Sequence, residues 1–264
     1  MLASGMEITR FRESRPGPEL AIEEAVARRL PALMVESSGR VWRAASPSIG
    51  AGMPDLVFAW HGPEVRQLHG ALGAVSAVLG YLRSVTRARP ETLSAKLSLP
   101  LSSVRESLID LAERLVLSEA LGWFEMSNVW RNILPEIIAV EAKVSNWKKA
   151  VQQAARNRVF AHRSFVAVPE QLAERVRLDG LVKKLGIGVL SVGKGGETTI
   201  ARRARFDEPL VWEYYYQVAS LVAKERGNAD VHRGNRQRKK VSTRIQVPKG
   251  VDAKRAKGRI SRSG

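Results

Sequence analysis

The stretch IIAVEAKVSNW, residues 137–147, sets the frame. Four apolar residues, Ile137 to Val140, run without the apolar–polar alternation of a half-exposed strand, so they predict a central strand covered on both faces. Side chains alternate along a strand, so Glu141 and Lys143 share one face, while Val140 and Ala142 point into the opposite layer. A carboxylate and an ammonium at the end of a covered strand carry a desolvation cost that an idle surface pair would not.

Upstream, AGMPDLVFAW (residues 51–60) places Pro54-Asp55 in front of a second apolar strand, behind the turn-rich PSIGAG. Alone, Asp55 reads equally well as a turn residue after proline. On a strand adjacent to Glu141 it becomes the second carboxylate of a hard-cation site, where Mg2+ or Mn2+ takes oxygen ligands and keeps several waters. A neighbouring lysine can then orient or deprotonate the attacking water.

Around these two strands the chain predicts an α/β sandwich with a mixed sheet. GPELAIEEAVARRLPALM spaces Ile22, Val26 and Leu30 as an amphipathic helix, and RVWRAAS is a strand. After residue 143 come the helix SNWKKAVQQAARNRVFAHR, the strand SFVAVP, the helix EQLAERVRLDGLVKKLG and the strand GIGVLSVG. TTIARRARF adds an edge strand, and PLVWEYYYQVASLVAKE a last helix whose aromatics pack on the sheet. GKGG (Gly193–Gly196) lacks the full phosphate-loop spacing and predicts a turn.

Residues 63–131 follow a different pattern. PEVRQLHGALGAVSAVLGYLRSV predicts one long helix, followed by a short helix over Glu91–Leu97 and a break at Ser98-Leu99-Pro100. In the next helix Leu101, Val104, Leu108, Leu111 and Leu115 form one apolar stripe. A hairpin around Ser118–Gly122 completes a layout that resembles winged helix-turn-helix domains. Ser102, Ser103, Arg105 and Glu106 stand near the start of the longer helix, where such proteins reach base edges. The alternative is that the segment docks on the core or on another chain.

Pro54-Asp55, Glu141-Ala142-Lys143, a following helix with Gln153, and SFVAVP together resemble the PD-(D/E)xK nuclease superfamily. The resemblance covers roughly residues 17–60 and 132–193. It implies a restriction endonuclease-like mixed-sheet α/β/α core that hydrolyses DNA phosphodiesters with Mg2+ or Mn2+. In it, Asp55 and Glu141 bind the metal and Lys143 acts on the nucleophilic water. A glutamate of the first helix often completes the site. Glu19, Glu23 and Glu24 are candidates, and Glu23 borders the buried stripe through its spacing to Val26 and Leu30. Some relatives carry Gln and, four residues later, Tyr on the helix after the lysine; here Gln153 is present but Asn157 stands at the tyrosine position. The long interval between Asp55 and Glu141 is explained by an inserted winged-helix-like module. The expected organisation is an N-terminal segment (1–16), a first stretch of nuclease-like core (17–62), the insert (63–131), a second stretch of core (132–226) and a basic tail (227–264).

Charge points to the same class of partner. The 264 residues carry 43 Lys and Arg against 26 Asp and Glu, a formal +17. The tail holds twelve Lys or Arg against two Asp, so +10 of that charge sits in residues 227–264 and +7 in the rest. So basic a segment, almost without large apolar residues, predicts disorder. It suits either a phosphate-binding arm or a solubilising tail. Lys148 and Lys149, at the start of the helix after the lysine strand, are candidates for phosphate contact; the adjacent Trp147 either joins them or packs on the sheet.

Cysteine is absent, which excludes disulfides, thiolate metal sites and cysteine nucleophiles. His61, His69, His162 and His232 show no metal-ligand spacing. No stretch is long and apolar enough to span a bilayer, and the N-terminus has no signal-like apolar region, so a cytoplasmic chain without a membrane partner is expected. DNA is the expected partner, with a second copy of the chain as a further candidate. The alternative function is a non-catalytic winged-helix DNA-binding or regulatory protein on a degenerate nuclease fold.

Overall fold

The structure is a computed structural model that describes residues 8–13, 16–34, 39–50, 52–71 and 74–225. The tail expected to be disordered, and His232 within it, lie outside the described residues.

The covered strands form as their composition predicts. β7 (Glu136–Ala142) is buried at all seven positions and β3 (Leu56–His61) at all six. They pair antiparallel with Leu56 opposite Val140, the register that places Asp55 beside the end of β7. Outward from β3 lies β2 (Arg40–Ala45), antiparallel, and then the two-residue β1 (Thr9–Arg10), parallel to β2. On the other side of β7, β8 (Arg163–Pro169) and β9 (Gly188–Val192) are parallel, and β10 (Thr198–Arg202) closes the sheet antiparallel. The result is a mixed sheet of seven strands in the order β1-β2-β3-β7-β8-β9-β10. β1 has no counterpart among the expected strands, because two residues carry no periodicity to read.

Helices cover both faces. α1 (Pro18–Leu33) buries Ile22, Val26 and Leu30 against Phe58, Ile138, Val140 and Phe165. On the opposite face α6 (Trp147–Asn157) and α7 (Glu170–Leu178) bury Ala150, Val151, Ala173 and Val176 against Val166, Val168 and Val189. These helices are the crossovers that parallel strands require. The stretch expected as one helix over 170–186 divides at Asp179, whose carboxylate accepts from the amides of Leu181 and Val182 and starts α8 (Gly180–Leu185).

The connection from β3 to its neighbour β7 holds a 3-10 segment (Pro63–Leu68), α2 (Val75–Ser84), β4 (Arg87–Ala88), α3 (Pro90–Leu97), α4 (Leu101–Glu113), β5 (Leu117–Ala120), β6 (Trp123–Met126) and α5 (Asn128–Arg131). β4, β6 and β5 form a three-stranded antiparallel sheet. The single long helix expected over 63–85 is in fact the 3-10 segment and α2, separated at Gly70, whose φ of +69° ends helical continuation. The break between α3 and α4 lies at Ser98, in the left-handed region at φ 54°. Val104, Leu108 and Leu111 are buried as the stripe predicts. Leu115 is not: α4 ends at Glu113, Leu115 turns out at φ 60° and is 76% exposed, and Val116 fills the core instead. The Arg114 guanidinium fastens that end by donating to the carbonyls of Gln67, His69 and Gly70.

This connection shares one continuous apolar cluster with the main sheet. Leu82, Leu108 and Trp130 belong with Val57 and Ile137 of the sheet and with Tyr215 and Tyr216 of the last helix, α9 (212–225). Two phenols lock it: Tyr215 Oη accepts from the Leu134 amide at 2.7 Å, and Tyr216 Oη donates to the Trp130 carbonyl at 2.8 Å. Tyr215→Phe leaves a buried amide without an acceptor, so it should lower unfolding free energy by about 1–3 kcal/mol. The check is a lower denaturant midpoint at unchanged slope.

Candidate metal site

Asp55 makes contacts with both its backbone and its side chain. Its carbonyl accepts from Ser46 N in the turn before β3, while its side chain crosses to β7. There Oδ2 accepts from the Ala142 amide at 2.8 Å and from Lys143 Nζ at 3.3 Å. Residues 87 and 88 positions apart in sequence are thus joined by one carboxylate oxygen. Lys143 Nζ also donates to the Ala142 carbonyl at 2.7 Å and to Glu19 Oε2 at 3.3 Å. Its own amide donates to Ala167 O, extending the β7–β8 pairing beyond the strand.

Glu141 is 1% exposed. Its Oε1 accepts from Asn157 Nδ2 at 2.8 Å; its Oε2 is buried and, among the described residues, no nitrogen or hydroxyl donates to it, while the Asp55 carboxyl is a hydrogen-bonding neighbour of Glu141. Burial, and then the Asp55 carboxylate against which it lies, push the Glu141 carboxyl up to about 8, while Asn157 and Lys143 pull the other way. Burial and Asp55 likewise raise Glu23 to about 7, opposed by Arg10 and Lys143. Burial works to lower the Lys143 ammonium, but Asp55 and Glu19 outweigh it and hold the group above its ordinary value, hence protonated.

Of the three helix glutamates, two reach this end of the sheet. Glu19 contacts Lys143, and Glu23 lies half-buried within the field of Asp55 and Lys143. Glu24 turns away to Arg10, 3.5 Å from its guanidinium. Sequence reasoning does not single out Asn157 as a site residue; its signal is a polar residue one helical turn beyond Gln153, on the stripe that faces β7. Gln153 has its Oε1 buried and unpartnered.

Trp147 is 9% exposed and packs in the α6–β8 cluster, so of its two sequence readings the packing one applies. Lys148 and Lys149 are exposed, with Lys148 Nζ 5.9 Å from the Trp147 ring centre. Ser102, Ser103 and Arg105 lie on α4 and share no hydrogen bond or ion pair with the carboxylates; Arg105 pairs with Glu91 at 2.9 Å. His61 and His162 are buried and His69 is exposed. Residues 193–196 form a turn, with Gly196 N donating to Gly193 O.

Against family models, curated proteins and solved structures, the chain has no match. Among the described residues no group of three or more His, Asp or Glu is arranged to hold a metal ion, and no helix is long and apolar enough to cross a membrane. The donor chemistry of Asp55 and Glu141 nevertheless fits a hard cation. Both offer oxygen, no nitrogen or hydroxyl among the described residues donates to Glu141 Oε2, and a cation, the Lys143 ammonium, is already held between Asp55 Oδ2 and the Ala142 carbonyl.

These carboxyls give stability a pH signature. A carboxyl raised in the folded state contributes stability that is fully present below the unfolded value near 4.5 and lost as pH rises through the folded value. Melting temperature should therefore fall from about pH 4.5 to 8, with Glu23 adding to the lower part of the window. Glu141→Gln keeps an acceptor for Asn157 and removes the charge, so it should flatten the decline and melt above the parent at pH 9. His162, lowered by burial to about 4, acts with the opposite sign, its contribution being lost as pH falls from 6.5 toward 4. It is common to both proteins and cancels in the comparison.

Proposed function

We propose that the chain is a divalent-metal-dependent DNA phosphodiesterase of the PD-(D/E)xK type. The observation that carries this is the convergence of Asp55, Glu141 and Lys143 at the adjoining ends of β3 and β7, with Asp55 Oδ2 bonded to both the Ala142 amide and Lys143. Asp55 and Glu141 would hold Mg2+ or Mn2+, which supplies charge stabilisation at the scissile phosphate and lowers the pKa of bound water. Lys143, protonated in these surroundings, places positive charge for the attacking water and the phosphate rather than removing a proton. Glu23, with its carboxyl near 7, can accept the proton that the water loses. Asn157 fixes Glu141 through Oε1 and leaves Oε2 for the cation.

The connection over 63–131 then serves as a winged-helix module, its order of helix, strand, two helices and hairpin matching that layout, and the basic tail adds phosphate contacts. Ser102, Ser103 and Arg105 are its candidate DNA contacts, and Lys148 and Lys149, exposed at the start of α6, are further ones. Purified protein should cut DNA with Mg2+ or Mn2+ and not with EDTA, tested on duplex, single-stranded, forked and junction substrates. Salt-sensitive binding to all of these without any nicking would leave the non-catalytic DNA-binding alternative in its place.

A further inference from the structure

Next to the carboxylates is a cleft of about 230 Å³ between α1, the ends of β8 and β9, and the turn at 193–196. Its apolar lining is Pro18, Ala21, Ile22, Val144, Pro169 and Val192. It adjoins the site along the chain: Val144 follows Lys143, and Ala21 and Ile22 lie on α1 within three residues of Glu19 and Glu23. The cleft opens at the C-terminal ends of the parallel strands β8 and β9, where sheets of this class bind ligands. Lys194 and Gln171 stand exposed at its edge, and among the described residues no aromatic or acidic side chain lines it.

We infer that this cleft takes one unpaired nucleobase of the strand being cut, so that the preferred substrate is single-stranded, frayed or flapped DNA rather than continuous duplex. The inference rests on the nuclease reading of the neighbouring carboxylates. A phosphate bound at Lys143 would lie one residue along the chain from Val144 in the cleft wall, and the base is the one component of a nucleotide with apolar faces to bury against prolines and aliphatic side chains. The volume lies below the usual range for small-molecule pockets, about 300–1,000 Å³, and suits a single ring system. Lys194 supplies charge for an adjoining phosphate. In continuous duplex the base is stacked and paired, and placing it in the cleft would cost a few kcal/mol of unstacking.

The test compares fluorescence anisotropy of an oligothymidylate, the same backbone with abasic residues, and a duplex of equal length, in EDTA, with the full chain and with Ala21→Trp. Ala21 is exposed, so tryptophan fills the cleft from its mouth. The parent should bind the oligothymidylate at least tenfold more tightly than the abasic strand, and Ala21→Trp should remove that difference while abasic and duplex affinities stay unchanged. Equal affinity of the parent for base-bearing and abasic strands overturns the inference, and this needs no variant to fold. An Ala21→Trp protein that melts like the parent and keeps full base discrimination overturns it as well. Base-dependent binding without metal-dependent cleavage removes the nuclease reading and keeps the cleft; cleavage indifferent to base and pairing does the reverse.

Discussion

If the chain is the proposed nuclease, Asp55→Ala, Glu141→Ala and Lys143→Ala should each lower Mg2+-supported DNA cleavage by about 10³-fold or more, because each would withdraw several kcal/mol of charge stabilisation at the scissile phosphate. DNA affinity in the same variants should stay close to the parent, since 42 of the 43 Lys and Arg are untouched and Lys143→Ala gives up a single phosphate contact. Glu141→Ala should not unfold the protein: it removes a buried carboxyl whose ionisation costs stability at neutral pH, although Asn157 Nδ2 loses its acceptor. Asp55→Ala is the more structural of the three, as it frees the Ala142 amide and one partner of Lys143. Its melting temperature must therefore be measured beside its rate. Single-turnover rates and anisotropy on the same preparations separate impaired chemistry from impaired binding. Any one variant retaining parental cleavage would remove that residue from the site.

Removing residues 227–264 takes away a net charge of +10 and leaves +7. Each phosphate that the protein no longer neutralises makes the slope of log affinity against log salt shallower by about 0.9, so a tail that neutralises about six phosphates would contribute about 10²-fold or more in affinity at low salt. Titrations of the full and shortened chains across a salt series give both numbers. The loss of affinity should be uniform across sequences, because Lys and Arg side chains on phosphates read backbone charge rather than base edges. Cleavage at saturating DNA should be unchanged. A tail that only solubilises would leave affinity and slope untouched, and its removal would lower the concentration at which the protein precipitates.

The strands nearest the candidate site are legible in the sequence because burial on both faces leaves an uninterrupted apolar run, as in Ile137–Val140 and Leu56–Trp60. Their register is not, since nothing local sets Leu56 against Val140 across a connection of more than seventy residues. Two of the helix errors are of one kind. Apolar periodicity continues through Gly70 and through Leu115, but a left-handed residue ends the helix whatever the side chains downstream. Asp179 sits within a helical pattern, yet its carboxylate serves better as a cap. At the site, residue types point to Asp55, Glu141 and Lys143, and the structure brings them together. Glu19's contact with Lys143 and Asn157's with Glu141 depend on how α1 and α6 cross the sheet, which the chain's local pattern does not encode.

Metal binding itself is the most direct test. Mn2+ titrated at pH 8.5, followed by the loss of its free-ion electron paramagnetic resonance signal, should show a saturable site in the parent. That site should weaken as pH falls and Glu141 takes up its proton. It should vanish in Asp55→Ala and in Glu141→Ala. Saturable binding of equal strength in the parent and both variants, or none in the parent at any pH from 6 to 9, would contradict the claim that Asp55 and Glu141 hold a metal together.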